Sequence, residues 1–164
     1  MASGKTTVAR LLAQRFPRGV HLEGDIFRRC IVAGRHEMTP SLDAAALQQL
    51  KLRYRVATEA AQRYAAEGFS VALEDVVAGP LLGDFVAQIS HRPLFVIVLV
   101  PPADVLAARD AQRATTGYGA WRAADLHRAF IEDTPRIGLW LDTSNQTPED
   151  TVDAILSRRA DAII

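Results

Sequence analysis

At 164 residues, 49% of them hydrophobic, the chain has the size of one domain with its own core and is too apolar to be disordered. Its 19 basic and 19 acidic residues cancel, which argues against a nucleic-acid binder and against a polyanionic tail. The single cysteine, Cys30, excludes an internal disulfide framework and a cysteine-based zinc site. No apolar run approaches the ~20 residues of a membrane helix. Lys5 and Arg10 interrupt any secretory leader, so the expected location is cytoplasmic.

The apolar spacing alternates between helical and extended periods. Lys5 to Phe16 reads as a helix stopped by Pro17, and Val20 to Glu23 as a short strand. Asp25 to Ala33 reads as a helix closed by Gly34, with Cys30 as a small core residue. Leu42 to Glu67 is an Ala-rich helix ending at Gly68. Phe69 to Val77 is a strand apolar on both faces, followed by a Pro-started helix from Pro80 to Ser90. Leu94 to Val100 is a second buried strand. Helices over Ala103 to Ala114 and Arg122 to Asp133 flank the loop Thr115 to Gly119. A strand over Ile137 to Leu141 precedes a helix from Pro148 to Ala162, with Thr147 as its N-cap. Apolar strands alternating with helices predict an α/β fold, an open doubly wound parallel sheet in a single domain over residues 1–164.

The most informative stretch is the first. Ser3-Gly4-Lys5-Thr6-Thr7 runs into a helix and matches the second half of the phosphate-binding loop G-x-x-x-x-G-K-[ST]. Gly4 lets backbone N–H groups turn toward phosphate. Lys5 supplies a compact positive charge, Thr6 a hydroxyl for Mg2+, and the helix its positive end. Only two of the 19 basic residues are lysines, Lys5 and Lys51, so a lysine here stands out against an arginine-rich background. Counted back from Gly4, the first glycine of the motif falls two residues before Met1. The strand that carries it is absent too, so a first strand and turn are expected upstream.

Taken together, Ser3-Gly4-Lys5-Thr6-Thr7, His21-Leu22-Glu23-Gly24-Asp25-Ile26-Phe27-Arg28, Val71-Ala72-Leu73-Glu74-Asp75, Arg109-Asp110-Ala111-Gln112-Arg113 and Leu141-Asp142-Thr143-Ser144 resemble small P-loop kinases across essentially the whole chain. The resemblance is to the chloramphenicol phosphotransferase-like proteins, and more distantly to gluconate, shikimate and adenylylsulfate kinases. Many sequences of this type are described only as AAA-like ATPases. The resemblance implies a nucleoside-kinase-like P-loop fold with a small lid over about residues 109–125, and ATP with Mg2+ as cofactors.

The resemblance also implies roles for residues. Ser3, Gly4, Lys5, Thr6 and Thr7 would hold the nucleotide. Asp25 would contact the acceptor hydroxyl and serve as base, a role that coexists with helix capping. Arg28, one turn on, would hold a polar part of the acceptor or lie on a solvated face. Glu74 and Asp75 end a strand where a magnesium carboxylate belongs. Neighbouring strand residues point to opposite faces, so the two have different parts; the family pattern favours Asp75, with Glu74 the alternative. Arg109 and Arg113 share a helix face and resemble lid arginines closing over the transferring phosphate, or else pair with Asp104 and Asp110. Asp142-Thr143-Ser144 would lie near the adenine, and Arg136 near the nucleotide. His21, His36, His91 and His127 lack metal-ligand spacing. Trp121 and Trp140 read as packing residues.

The expected activity is transfer of the γ-phosphoryl group of ATP to a hydroxyl of a small molecule, a metabolite or an antibiotic-like compound. Lys5, Asp25 and Arg113 form the catalytic set, Thr6 and Asp75 the metal set, and Arg28 joins Asp25 on the acceptor. No nucleic acid and no membrane are expected as partners, and the sequence leaves the oligomeric state open. Three rivals remain: an ATP-hydrolysing regulator without an acceptor, a nucleic-acid end kinase, and an inactive fragment lacking its first strand.

Overall fold

The computed structural model describes residues 2–39, 43–112 and 123–164. Helix α1 (Lys5–Gln14) leads into strand β1 (Gly19–Glu23), the short helix α2 (Asp25–Arg29) and the long helix α3 (Ala44–Ala66). Then come β2 (Ser70–Glu74), α4 (Leu81–Ala87), β3 (Ile97–Leu99), α5 (Ala103–Ala111), α6 (Ala123–Asp133), β4 (Leu139–Leu141), α7 (Pro148–Ser157) and α8 (Arg159–Ala162). The α/β reading holds, with every strand pairing parallel. The strands do not form one continuous sheet, however. Among the described residues β1 pairs with β2 and β3 pairs with β4, as two separate two-stranded sheets.

Helix α1 joins the two pairs. On one side it packs against β1 and β2, and on the other against α7. Its Val8 enters a core cluster with Leu139 and Leu141 of β4 and Val152 and Ile155 of α7, and Leu11, Leu12, Ile97 and Leu99 pack around it. The approach of α1 to β1 is close. A Cβ on Gly19 would lie 1.8 Å from the carbonyl oxygen of Ala13, so only glycine permits this contact. On the opposite face of β1–β2 lies α3, whose buried Ala46, Tyr54, Ala57, Thr58 and Ala61 form the helical stripe that packs there.

The paired segments are shorter than the apolar runs that contain them. Leu94 to Val100 reads as a strand, but only Ile97–Leu99 pairs with β4, which offers just three residues, and Phe95 makes an isolated antiparallel bridge to Ile163. Helix α2 ends at Arg29 rather than Ala33, and Cys30, expected in the core, is exposed. The last helix breaks at Arg158 into α7 and α8. Thr147 caps α7 as expected. Its hydroxyl accepts from the Asp150 N–H, and Asp150 returns the bond to the Thr147 N–H, a complete capping box. No described helix is long and apolar enough to cross a membrane.

Candidate active site

Parallel strands bring their carboxyl ends to one edge, and the residues just beyond them define the site. Gly24 and Asp25 follow β1, Glu74 closes β2 with Asp75 just beyond it, and Asp142 to Ser144 follow β4. The N-terminus of α1 reaches the same edge. Gly4 caps it with φ +87°, a left-handed backbone that glycine adopts without the Cβ penalty. The first turn of α1 carries no acidic side chain of its own. Ser3 is buried at this turn, while Thr6 and Thr7 are exposed.

Strand alternation then separates the two carboxylates. Gly19 faces α1, so His21 and Glu23, and Ser70, Ala72 and Glu74 in register beside them, share that face. Glu74 accordingly meets the start of α1. Its carboxylate accepts the Thr6 hydroxyl at 2.7 Å and lies 3.9 Å from Lys5 Nζ. Asp75, expected beside the metal, is placed on the opposite side. Its Oδ1 accepts Arg53 Nη2 at 2.7 Å and the Val76 N–H at 2.6 Å. Its side chain is 2% exposed, and Oδ2 is buried without a hydrogen-bond partner. Burial pushes the Asp75 carboxyl up to about 6, against the opposing pull of Arg53 and the Val76 N–H.

Thr6 and Glu74 together make an all-oxygen donor set. Such hard donors suit Mg2+, which takes one or two protein oxygens and fills its remaining positions with phosphate and water. Among the described residues no group of three or more His, Cys, Asp or Glu is placed to hold a metal ion by itself.

Asp25 is the first residue of α2, with Gly24 at the cap position. Three arginines converge on it. Arg28 Nε lies 2.7 Å from Oδ1 and Nη2 3.2 Å from Oδ2, Arg53 Nη1 lies 3.4 Å from Oδ1, and Arg29 Nε is 4.0 Å away. The Arg28 hydrogen bond above all holds the Asp25 carboxyl below the usual carboxylate range, although partial burial works the other way. Arg28 is shared, since its Nη1 also donates to Glu37 at 2.7 Å. Tyr54, next to Arg53 on α3, donates its hydroxyl to the Val76 carbonyl at 2.7 Å and meets Phe85 edge to face. Two adjacent residues of α3 therefore fasten the end of β2.

Arg109 reaches the loop after β4. Its Nη2 donates to the Thr143 carbonyl at 2.7 Å, and Asp142 accepts the Ser144 N–H at 2.9 Å within that loop. Arg136, expected near the nucleotide, lies over the Trp140 ring, 4.0 Å from its centroid. Arg113 and Trp121, and the middle of the expected lid, fall outside the described residues. The sequence reading missed Arg53 and Glu37. For Glu37 there was no signal, but Arg53 had one: it stands seven residues after Ala46 and four before Ala57, in phase with the buried stripe of α3.

The profile of the AAA domain family matches residues 1–134. The chain belongs to the AAA domain family. In fold it is similar to a sugar kinase from Janibacter sp. HTCC2649, with a TM-score of 0.68 and 19% identity over 95% of this chain and 87% of that one. It is also similar to a protein from Chloroflexus aurantiacus provisionally described as a kinase, with a TM-score of 0.58 and 23% identity over 96% and 90% of the two chains. These matches give the AAA domain chain the fold of a small P-loop kinase. No curated protein matches it by sequence.

Proposed function

We propose that the chain is a phosphotransferase that moves the γ-phosphoryl group of ATP to a hydroxyl of a small molecule. One observation carries the reading. A Gly-Lys-Thr helix start and a strand-end carboxylate, Glu74, meet at the same sheet edge as a second carboxylate, Asp25, that is held separately by arginines. That is a place for phosphate and a place for an acceptor on neighbouring strand ends.

Lys5 and the backbone around Gly4, with Ser3 and Thr7 at the same turn, bind the phosphates. Thr6 and Glu74 would hold Mg2+, which when bound neutralises phosphate charge. Glu74 takes this part in place of Asp75 because it is the carboxylate beside Thr6. Asp25 accepts a hydrogen bond from the acceptor hydroxyl. The acceptor oxygen forms the new bond to phosphorus as the bond to the β–γ bridging oxygen breaks, and ADP leaves. Because Asp25 is a weakened base, it acts first by orienting the hydroxyl and receives the proton only late, as suits a loose transition state. Arg28 holds a polar part of the acceptor. Arg109 braces the loop after β4 on the nucleotide side, and Arg113 would close from the lid.

The test is a screen of hydroxylated metabolites and antibiotics with labelled ATP and Mg2+, comparing the wild type with Lys5→Ala. Label transfer that disappears in Lys5→Ala, with the denaturation midpoint kept, is the expected result. Transfer undiminished in Lys5→Ala refutes the mechanism. ATP hydrolysis insensitive to Asp25→Asn, with no acceptor found, replaces it with a nucleotide-hydrolysing regulator.

A further inference from the structure

We infer that Arg53 is a positioning residue for the acceptor-side carboxylate Asp25, and that the buried Asp75 serves to hold Arg53 in place. The inference deepens the phosphotransferase reading and rests on it.

Three observations carry it. First, Arg53 is the only described side chain that touches both Asp75 and Asp25, with Nη2 2.7 Å from Asp75 and Nη1 3.4 Å from Asp25. A planar guanidinium that spans two carboxylates fixes their separation and direction, which a flexible ammonium does not. Second, the far end of this bridge cannot move. Asp75 is also fastened by the Val76 N–H, and its Oδ2 lies against the Gly24 backbone so closely that a Cβ there would be 2.0 Å away. The Arg53 side chain is 12% exposed. By contrast Arg28, the nearer partner of Asp25, is 32% exposed and divides its donors with the exposed Glu37. When an acceptor engages Arg28, Arg53 is the contact that stays. Third, the Arg53–Asp75 pair is a poor device for stability alone. Two charges have been taken from water while Asp75 Oδ2 and Arg53 Nε lack partners. Buried pairs of this kind are commonly matched or bettered by neutral side chains of similar volume. Their geometry, not their energy, distinguishes them here: Gly24, which follows β1, and Asp75, which follows β2, are locked together one residue before Asp25.

Arg53 is therefore assigned no contact with the reacting atoms. It acts through Asp25, and its loss should lower turnover without weakening the nucleotide site at Lys5, Thr6 and Glu74 on the other face of the sheet.

The experiment uses the full chain and MgATP, with water as the acceptor. Steady-state ADP release gives kcat and KM, calorimetry gives MgADP affinity, and urea denaturation gives stability. The pair is replaced by a neutral one, Arg53→Met with Asp75→Asn, in the wild type and in Asp25→Asn. The expected result is a folded protein with unchanged MgADP affinity and unchanged KM for ATP, and kcat lowered between about tenfold and a hundredfold. In the Asp25→Asn background the same replacement lowers kcat no further. Arg53→Lys restores only part of the loss. If the double replacement fails to fold, Arg53→Lys and Asp75→Asn singly carry the same kcat-against-KM comparison. Full kcat in the neutral pair, or an equal further loss in Asp25→Asn, overturns the inference. The kinase reading fails by different signs: no MgADP binding by the wild type, or hydrolysis undiminished in Lys5→Ala.

Discussion

Replacing Gly24 by alanine tests the packing on which the site depends. The glycine has φ −60°, so its backbone needs no left-handed freedom; what excludes a side chain is Asp75. An added Cβ would lie 2.0 Å from Oδ2, 2.7 Å from Cγ and 3.2 Å from Cβ of that residue. Relief requires a shift of about 1 Å or more. Asp75 cannot rotate away without giving up Arg53 and the Val76 N–H, and Gly24 cannot retreat without stretching its own N–H bond to the Glu74 carbonyl, now 2.8 Å. Overpacking of this kind costs about 1–3 kcal/mol, and a strained backbone hydrogen bond adds about 1 more. Alanine at a helix cap position offers nothing in return. The expected loss is about 2–4 kcal/mol, a fall in Tm of roughly 5–15 °C for a chain of this length. Urea denaturation of Gly24→Ala, Asp75→Ala and the double variant decides the cause. With Asp75 cut back to its Cβ, the nearest remaining contact is 3.2 Å, so Gly24→Ala should then cost less than about 1 kcal/mol, a coupling well outside additivity. Equal costs in the two backgrounds, or a negligible cost in the wild type, refute the argument.

Asp75 should also leave a mark on the pH dependence of stability. Its carboxyl sits near 6 in the folded chain against an ordinary 3.8, so the folded state binds the proton more tightly than the unfolded state. That contribution is complete below about pH 4 and is lost as pH rises through 6, a swing of about 3 kcal/mol. Asp75→Asn, which does not titrate, should gain on the wild type by that order between pH 4 and pH 7 in urea denaturation; a constant or opposite difference refutes it. Thr147→Ala removes the capping hydroxyl from α7 and should cost about 1 kcal/mol, with Thr147→Ser restoring most of it. Tyr54→Phe deletes the buried bond to the Val76 carbonyl and should cost about 1–2 kcal/mol, measured the same way.

Much of this architecture was legible because local signals and periodicity agreed. The α1 start, Gly68 with φ +79° after α3, the Thr147 cap and the order of strands and helices each have a short-range cause. Strand lengths were not legible, because a ladder needs a partner: the apolar run from Leu94 is long, but only three of its residues face three residues of β4. Cys30 misled for a related reason. Its apolar neighbours Ile31 and Val32 suggested a continuing helix, yet α2 ends at Arg29 and Val32 is almost fully exposed.

The site shows where reading residues one strand at a time stops. Alternation makes Glu74 and Asp75 face opposite ways, but it cannot say which faces α1 until a third residue sets the phase. Gly19 sets it. Its missing Cβ admits the Ala13 carbonyl, so its face of β1 is the α1 face, and the parallel register carries that assignment across from Glu23 to Glu74. Asp75 must then look toward α3, where a carboxylate going into an apolar layer requires a cation. Arg53 is the arginine in phase with the buried stripe, one turn before Ala57. The two strand-end acids thus divide between two helices, Glu74 beside the phosphate-binding turn of α1 and Asp75 beneath Asp25 through α3. In the proposed mechanism, a single alternation of the chain separates what would hold the nucleotide from what would orient the acceptor.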